Sequence, residues 1–214
     1  MRLTSIFLVP DFGEATDSAL AFRNQTRFLC HYVQRYVAAR KVQADGFNRI
    51  CVVCKRGASE SSFKNSSRVL VAEVPFDLAE YENTPEDDLP EYLIGLLQAG
   101  LAKCARDEPL PAELFGEAID AFRALGYRNT WVHSAKTFRQ AGLRCRLLCE
   151  LDLSCFRLVL DVERGGQPLF SREILRTLPD ELVFAHRFKE IKLVDDTLCV
   201  EDKFGKPLFA LNLA

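Results

Sequence analysis

The chain has 214 residues, 48% of them apolar and 27% charged, with a formal net charge of −2. That length suits one substantial core, and the near-neutral balance argues against a general binder of nucleic acid or of anionic membranes. The apolar run Ile6 to Val9 is stopped by Pro10 and is too short for a secretory leader, and nothing approaches the roughly 20 apolar residues of a membrane span. A cytoplasmic protein with no membrane or nucleic-acid partner is expected.

Leu3 to Val9 reads as a first strand, ended by Pro10, Asp11 and Gly13. A helix follows, capped by Thr16 or Asp17. It places Phe22, Leu29, Tyr32, Val33, Tyr36 and Val37 on one buried face and ends near Arg40 or Lys41. Arg49 to Lys55 has the short apolar character of an interior strand, Gly57 to Ser67 is a serine-rich loop, and Arg68 to Pro75 is another strand. The segment Phe76 to Tyr92 then carries Asp77, Glu80, Glu82, Glu86, Asp87, Asp88 and Glu91 without one Lys or Arg. Asp88, with Pro90 at the first helical position, marks a helix start, and Tyr92, Leu93, Leu96, Leu97 and Leu101 form its apolar stripe. After a break at Asp107 to Pro111, a third helix runs to Leu125 and buries Leu114, Phe115, Ala118, Ile119 and Phe122, with Gly126 as its stop. Tyr127 to Ala141 reads as a connection with room for a short helix.

Leu143 to Val162 is the longest periodic stretch. Leu143, Cys145, Leu147, Cys149 and Leu151 share one face of an extended chain; the phase slips at Asp152 to Cys155, and Phe156, Leu158, Leu160 and Val162 take over. Either a tight turn or a bulge sits at the slip. Gly165-Gly166 signals a hairpin. Ser171 to Leu178 reads as a short helix stopped by Pro179-Asp180, and Phe184 to Phe188 as extended. Strands follow at Glu190 to Val194, Leu198 to Glu201 and Pro207 to Leu213, with a turn at Asp195-Asp196. The fold class implied is α+β: a mixed α/β N-terminal half with three main helices, then an antiparallel, β-rich C-terminal half. One domain over residues 1–214 is expected, with any subdivision near 126–142.

The chemistry-bearing residues are sparse. Cys51 and Cys54 have metal-like spacing but fall on opposite faces of a strand. A metal would need a second pair, for which Cys145 and Cys149 are the candidates; buried free thiols are the simpler reading. Of the three histidines, His31, His133 and His186, His133 is best placed for catalysis, grouped with Tyr127, Arg128 and Trp131. No phosphate loop, zinc-protease, nucleophile-elbow or kinase motif occurs, and no cofactor is implied. The acidic segment is the strongest signal: its carboxylates, interleaved with Phe76, Tyr81 and Tyr92, suit the steering of a basic partner. A solvated helix start explains Glu86 to Glu91 by itself, but not Asp77, Glu80 and Glu82.

In general character, with an acidic surface segment, no catalytic motif and an antiparallel second half, the chain is similar to bacterial immunity proteins, which neutralise the toxins of interbacterial competition and secretion systems. The resemblance implies a non-enzymatic inhibitor that occludes the active site of a cognate toxin, with Tyr81, Tyr92 and Trp131 as candidate anchors beside the carboxylates. Two other readings stay open: an enzyme with a pocket around Tyr127 to His133, and a homo-oligomeric adaptor using the edge of Pro207 to Leu213.

Overall fold

A computed structural model describes residues 1–11 and 17–213; Gly13 and Thr16, named above, lie outside the described residues. The chain is α+β and divides into two compact units, Met1–Asn129 and Thr130–Ala214, with the boundary inside the 126–142 stretch.

The first unit holds a sheet of order β1-β2-β4-β3. Strands β1 (Ser5–Pro10), β2 (Arg49–Lys55) and β4 (Val69–Pro75) run parallel, and the short β3 (Phe63–Lys64), inside the serine-rich loop, pairs antiparallel with β4. Ile6, Leu8, Ile50, Val52, Cys54, Leu70, Ala72 and Val74 are buried at alternate positions along the three long strands.

Among the described residues this unit holds five helices, where three main ones were expected. The first expected helix is interrupted at Thr26 into α1 (Asp17–Gln25) and α2 (Arg27–Ala39). The buried Thr26 hydroxyl reaches back to the carbonyl of Leu8 on β1 at 3.1 Å and to that of Arg23 at 3.0 Å, pinning the break to the sheet. Helix α3 (Leu78–Asn83) forms inside the acidic segment, followed by α4 (Leu89–Asp107) and α5 (Ala112–Ala124). Pro90 takes the second helical position of α4, and Asp88 precedes that helix without a side-chain capping bond.

The second unit is built from two antiparallel sheets, β5-β6-β7-β8 and β11-β10-β9. Strand β6 (Leu143–Leu151) and strand β7 (Phe156–Arg164) bury all nine of the alternating residues named above. The phase slip is a tight turn: Asp152 Oδ1 accepts from the backbone N–H of Ser154 at 2.9 Å and of Cys155 at 2.8 Å. On the opposite face, register sets Arg146 beside Asp161 and Glu150 beside Arg157. Arg146 Nη2 lies 2.5 Å from Asp161 and 3.0 Å from Glu163, so oppositely charged cross-strand pairs back the same register that the buried face demands. Positive φ at both Gly165 and Gly166 closes the next hairpin, and Asp195 and Asp196 do the same between β9 (Glu190–Val194) and β10 (Thr197–Glu201).

Three expectations are corrected. Tyr127 to Ala141 does hold a short helix, a 3-10 turn at Arg139–Ala141, but most of it is a ten-residue strand, β5 (Asn129–Phe138), at the edge of its sheet, where wet positions on both faces erase the alternation. Ser171 to Leu178 is not a helix: β8 (Gln167–Thr177) pairs with β7, and its register slips where Leu158 opposes Leu175 while Val159 opposes Glu173. Ile174 is the extra residue of that bulge, and Leu169 is passed over in the same way where Val162 opposes Phe170 while Glu163 opposes Pro168, so the apolar residues of β8 keep no two-residue alternation. Phe184 to Phe188 is not extended: Asp180 caps α6 (Glu181–Phe184) by accepting from Leu182 N at 3.0 Å, and Phe184 stacks on Phe156 with centroids 3.8 Å apart. The last strand, β11 (Pro207–Asn212), lies at a sheet edge.

Gly100 of α4 lies directly over Val52 of β2; a Cβ there would fall 2.4 Å from both Val52 methyls. Gly95, on the same helix, has nothing within 4 Å. The two glycines therefore respond oppositely to the same change. Gly95→Ala should raise the unfolding free energy by about 1 kcal/mol, whereas Gly100→Ala should lower it by about 1–3 kcal/mol, both read by urea denaturation.

Candidate functional site

The acidic segment lies wholly in the first unit and wraps from β4 into α4. It is a structured element. Asp77 caps α3, accepting from Ala79 N at 2.9 Å. Tyr81 is 7% exposed and its ring packs edge-on to Phe22 at 5.1 Å, while its hydroxyl donates to Gln25 of α1. Tyr92 stacks beside Tyr81 at 6.4 Å and meets Phe76 at 6.5 Å. Burial, helped by neighbouring carboxylates, pushes both phenols up to about 12. Phe76, already named among the interleaved aromatics, and Phe22, which carried no site role in the sequence reading, complete this aromatic floor.

The seven carboxylates divide by what holds them. Asp77 is spent on the cap. Glu82 accepts from Ser18 Oγ at 2.6 Å. Glu91 is tied down fully: Arg123 of α5 donates to both of its oxygens at 2.8 Å, and the Tyr127 hydroxyl donates at 2.9 Å. The Arg123 hydrogen bond, against partial burial and with help from Tyr127, holds the Glu91 carboxyl below the usual glutamate range. Glu80, Glu86, Asp87 and Asp88 are exposed, and none of the ion pairs among the described residues includes them.

The remaining candidates lie elsewhere. Trp131 is half-buried on β5 in the second unit, its ring 6.1 Å from that of Phe156. His133, on the same strand, meets Phe188 edge-on at 4.8 Å, and burial lowers its pKa against a backbone bond to Lys189. Tyr127 and Arg128 belong to the first unit, so the expected Tyr127 to His133 grouping is divided between the two. Cys51 and Cys54 take opposite faces of β2; burial pushes both thiols up, and Cys145 up to about 11. Among the described residues no three His, Cys, Asp or Glu side chains come together in a way that would hold a metal ion.

His31 belongs to a polar knot under α2. Buried Asn129 donates through Nδ2 to the Phe28 carbonyl at 2.8 Å, lies 3.2 Å from His31 Nδ1, and accepts from Arg35 at 2.9 Å. No family model, curated protein or solved structure matches the chain.

Burial, reinforced by the charge of Arg35 and opposed by Asn129, lowers His31 from 6.5 to about 4. Between those values the unfolded chain binds the proton and the folded chain does not, so stability falls as pH drops through that window, by up to ~1.4 kcal/mol for each pH unit. In urea denaturation across this range, His31→Gln should flatten the slope, leaving the same-sign contribution of His133.

Proposed function

We propose that this protein is a non-enzymatic inhibitor of the immunity type. It docks a basic protein partner, a toxin domain, on the exposed carboxylates of the α3–α4 segment and covers that partner's active site. The observation that carries the reading is the division of the acidic run. Glu80, Glu86, Asp87 and Asp88 remain outside every ion pair among the described residues, on a scaffold stiffened by the aromatic floor and the Glu91–Arg123 clamp. A field of one sign, held rigid and unneutralised, steers and orients an oppositely charged partner. Tight inhibition calls for an interface of roughly 1,600 Å²; with Tyr81 buried in the aromatic floor, the half-buried ring of Tyr92 is the anchor beside these charges.

The test is the triple reversal Glu80→Lys, Asp87→Lys, Asp88→Lys. It spares the Asp77 cap and the Glu91 clamp, so the thermal midpoint should stay within a few degrees. A partner captured from the native host and identified should lose affinity by about 100-fold or more, in keeping with close charge pairs worth about 1.5 kcal/mol or more to a complex. Undiminished affinity sinks the assignment of this surface.

A further inference from the structure

We infer that the partner presents a basic amphipathic helix, and that this helix lies in the groove between α4 and α5. The inference rests on the reading above for the partner's charge, and adds the element it presents and the place that element occupies.

The two helices run side by side and antiparallel, with Glu91 at the start of α4 bonded to Arg123 near the end of α5. Between them opens a cavity of about 140 Å³, floored by Leu101, Phe115 and Ile119 and walled by Ala102, Ala112 and Gly116. A cavity of that size admits one benzene-sized apolar group. Gln98 closes one side, its Oε1 3.4 Å from Arg123 Nη2.

Gly116 is the telling residue. Its φ is not in the left-handed region, and a Cβ there would meet nothing within 4 Å. Neither backbone conformation nor internal packing requires glycine, although glycine in a helix interior is destabilising. What its missing side chain does is keep the groove open. Gly95, in helical step with Gln98 and Ala102, is open in the same way.

Charge chooses the occupant. Glu113 and Glu117 stand exposed along the outer side of α5, where Asp120 pairs with Arg123 at 3.2 Å, and Glu86, Asp87 and Asp88 stand exposed just before α4. The α4 cations are engaged: Arg106 with Asp107 at 2.7 Å, and Lys103 with the carbonyls of Ser59 at 2.6 Å and Glu73 at 2.5 Å. An apolar floor with an acidic rim matches a helix carrying Leu or Phe on one face and Lys or Arg beside it. An extended segment would find no free backbone edge between two helices, so it gains nothing there.

The probe is a fluorescein-labelled 14-residue Leu/Lys peptide of helical repeat, with a Leu/Glu counterpart of identical apolar face, titrated by anisotropy into the full chain. The Lys peptide should bind at least about tenfold tighter than the Glu peptide. Gly116→Leu should weaken it by about tenfold or more, and Gly116→Ala by less, with the thermal midpoint of the alanine variant unchanged or raised. No saturable binding of the Lys peptide, equal binding of both peptides, or full affinity in Gly116→Leu and Gly116→Ala each overturns the groove. So does a dimer, seen by light scattering, that Gly116→Leu dissociates, because a second copy would then be the occupant. The triple reversal of Glu80, Asp87 and Asp88 separates the two ideas. Loss there with Gly116→Leu unaffected removes the groove and leaves the charge reading, whereas loss in Gly116→Leu alone does the reverse.

Discussion

Val52 of β2 rises to a point where only a residue without a side chain can pass, and Gly100 of α4 is that residue. The close approach seats α4 on the buried face of the parallel sheet, and the placement of the acidic residues follows. The start of α4 delivers Glu91 to Arg123, which draws α5 alongside. The same seating sets the turn holding Glu86, Asp87 and Asp88 at one end of the helix pair, and it opens the space between α4 and α5. A shift of α4 by the width of one methyl would be felt at each of these places, because packed interiors transmit displacement instead of absorbing it.

The aromatic floor has a different origin. Phe22, Phe76, Tyr81 and Tyr92 come from α1, the residue just after β4, α3 and α4, and neighbouring ring centroids lie 5.1 to 6.5 Å apart. Offset and edge-to-face contacts among four rings add specific geometry to area burial. They also leave the neighbouring carboxylates on a surface with little freedom to rearrange. Long-range pairing and local capping then decide which carboxylates stay available.

Much of the architecture was legible in the sequence where burial is one-sided. Leu143 to Val162 alternates cleanly because one face of β6 and β7 is wholly inside, and Arg49 to Lys55 reads as interior because it has a neighbour on each side. The reading failed where that condition lapsed. Strand β5 is a wet edge, so Trp131, Val132 and His133 show no alternation; register slips at Leu169 and Ile174 deny β8 a clean two-residue period; Asp180 looked like a stop and is a cap. The candidate site was legible as composition only. Nothing local distinguishes Glu91, whose partner comes 32 residues later, from Asp87, which has none among the described ion pairs; that difference arises in the fold.

Eight free cysteines in a chain this size would ordinarily invite chemical trouble, yet burial pushes the thiols of Cys51, Cys54, Cys104, Cys145 and Cys155 upward, away from the thiolate. Since only the thiolate attacks disulfides and alkylating agents, these sulfurs are quiet while the molecule is closed and become reactive once it opens. They amount to a set of internal clocks distributed over both units: Cys51, Cys54 and Cys104 keep time for the first, Cys145 and Cys155 for the second. The rate at which a thiol reagent consumes each one measures how often its own unit breathes.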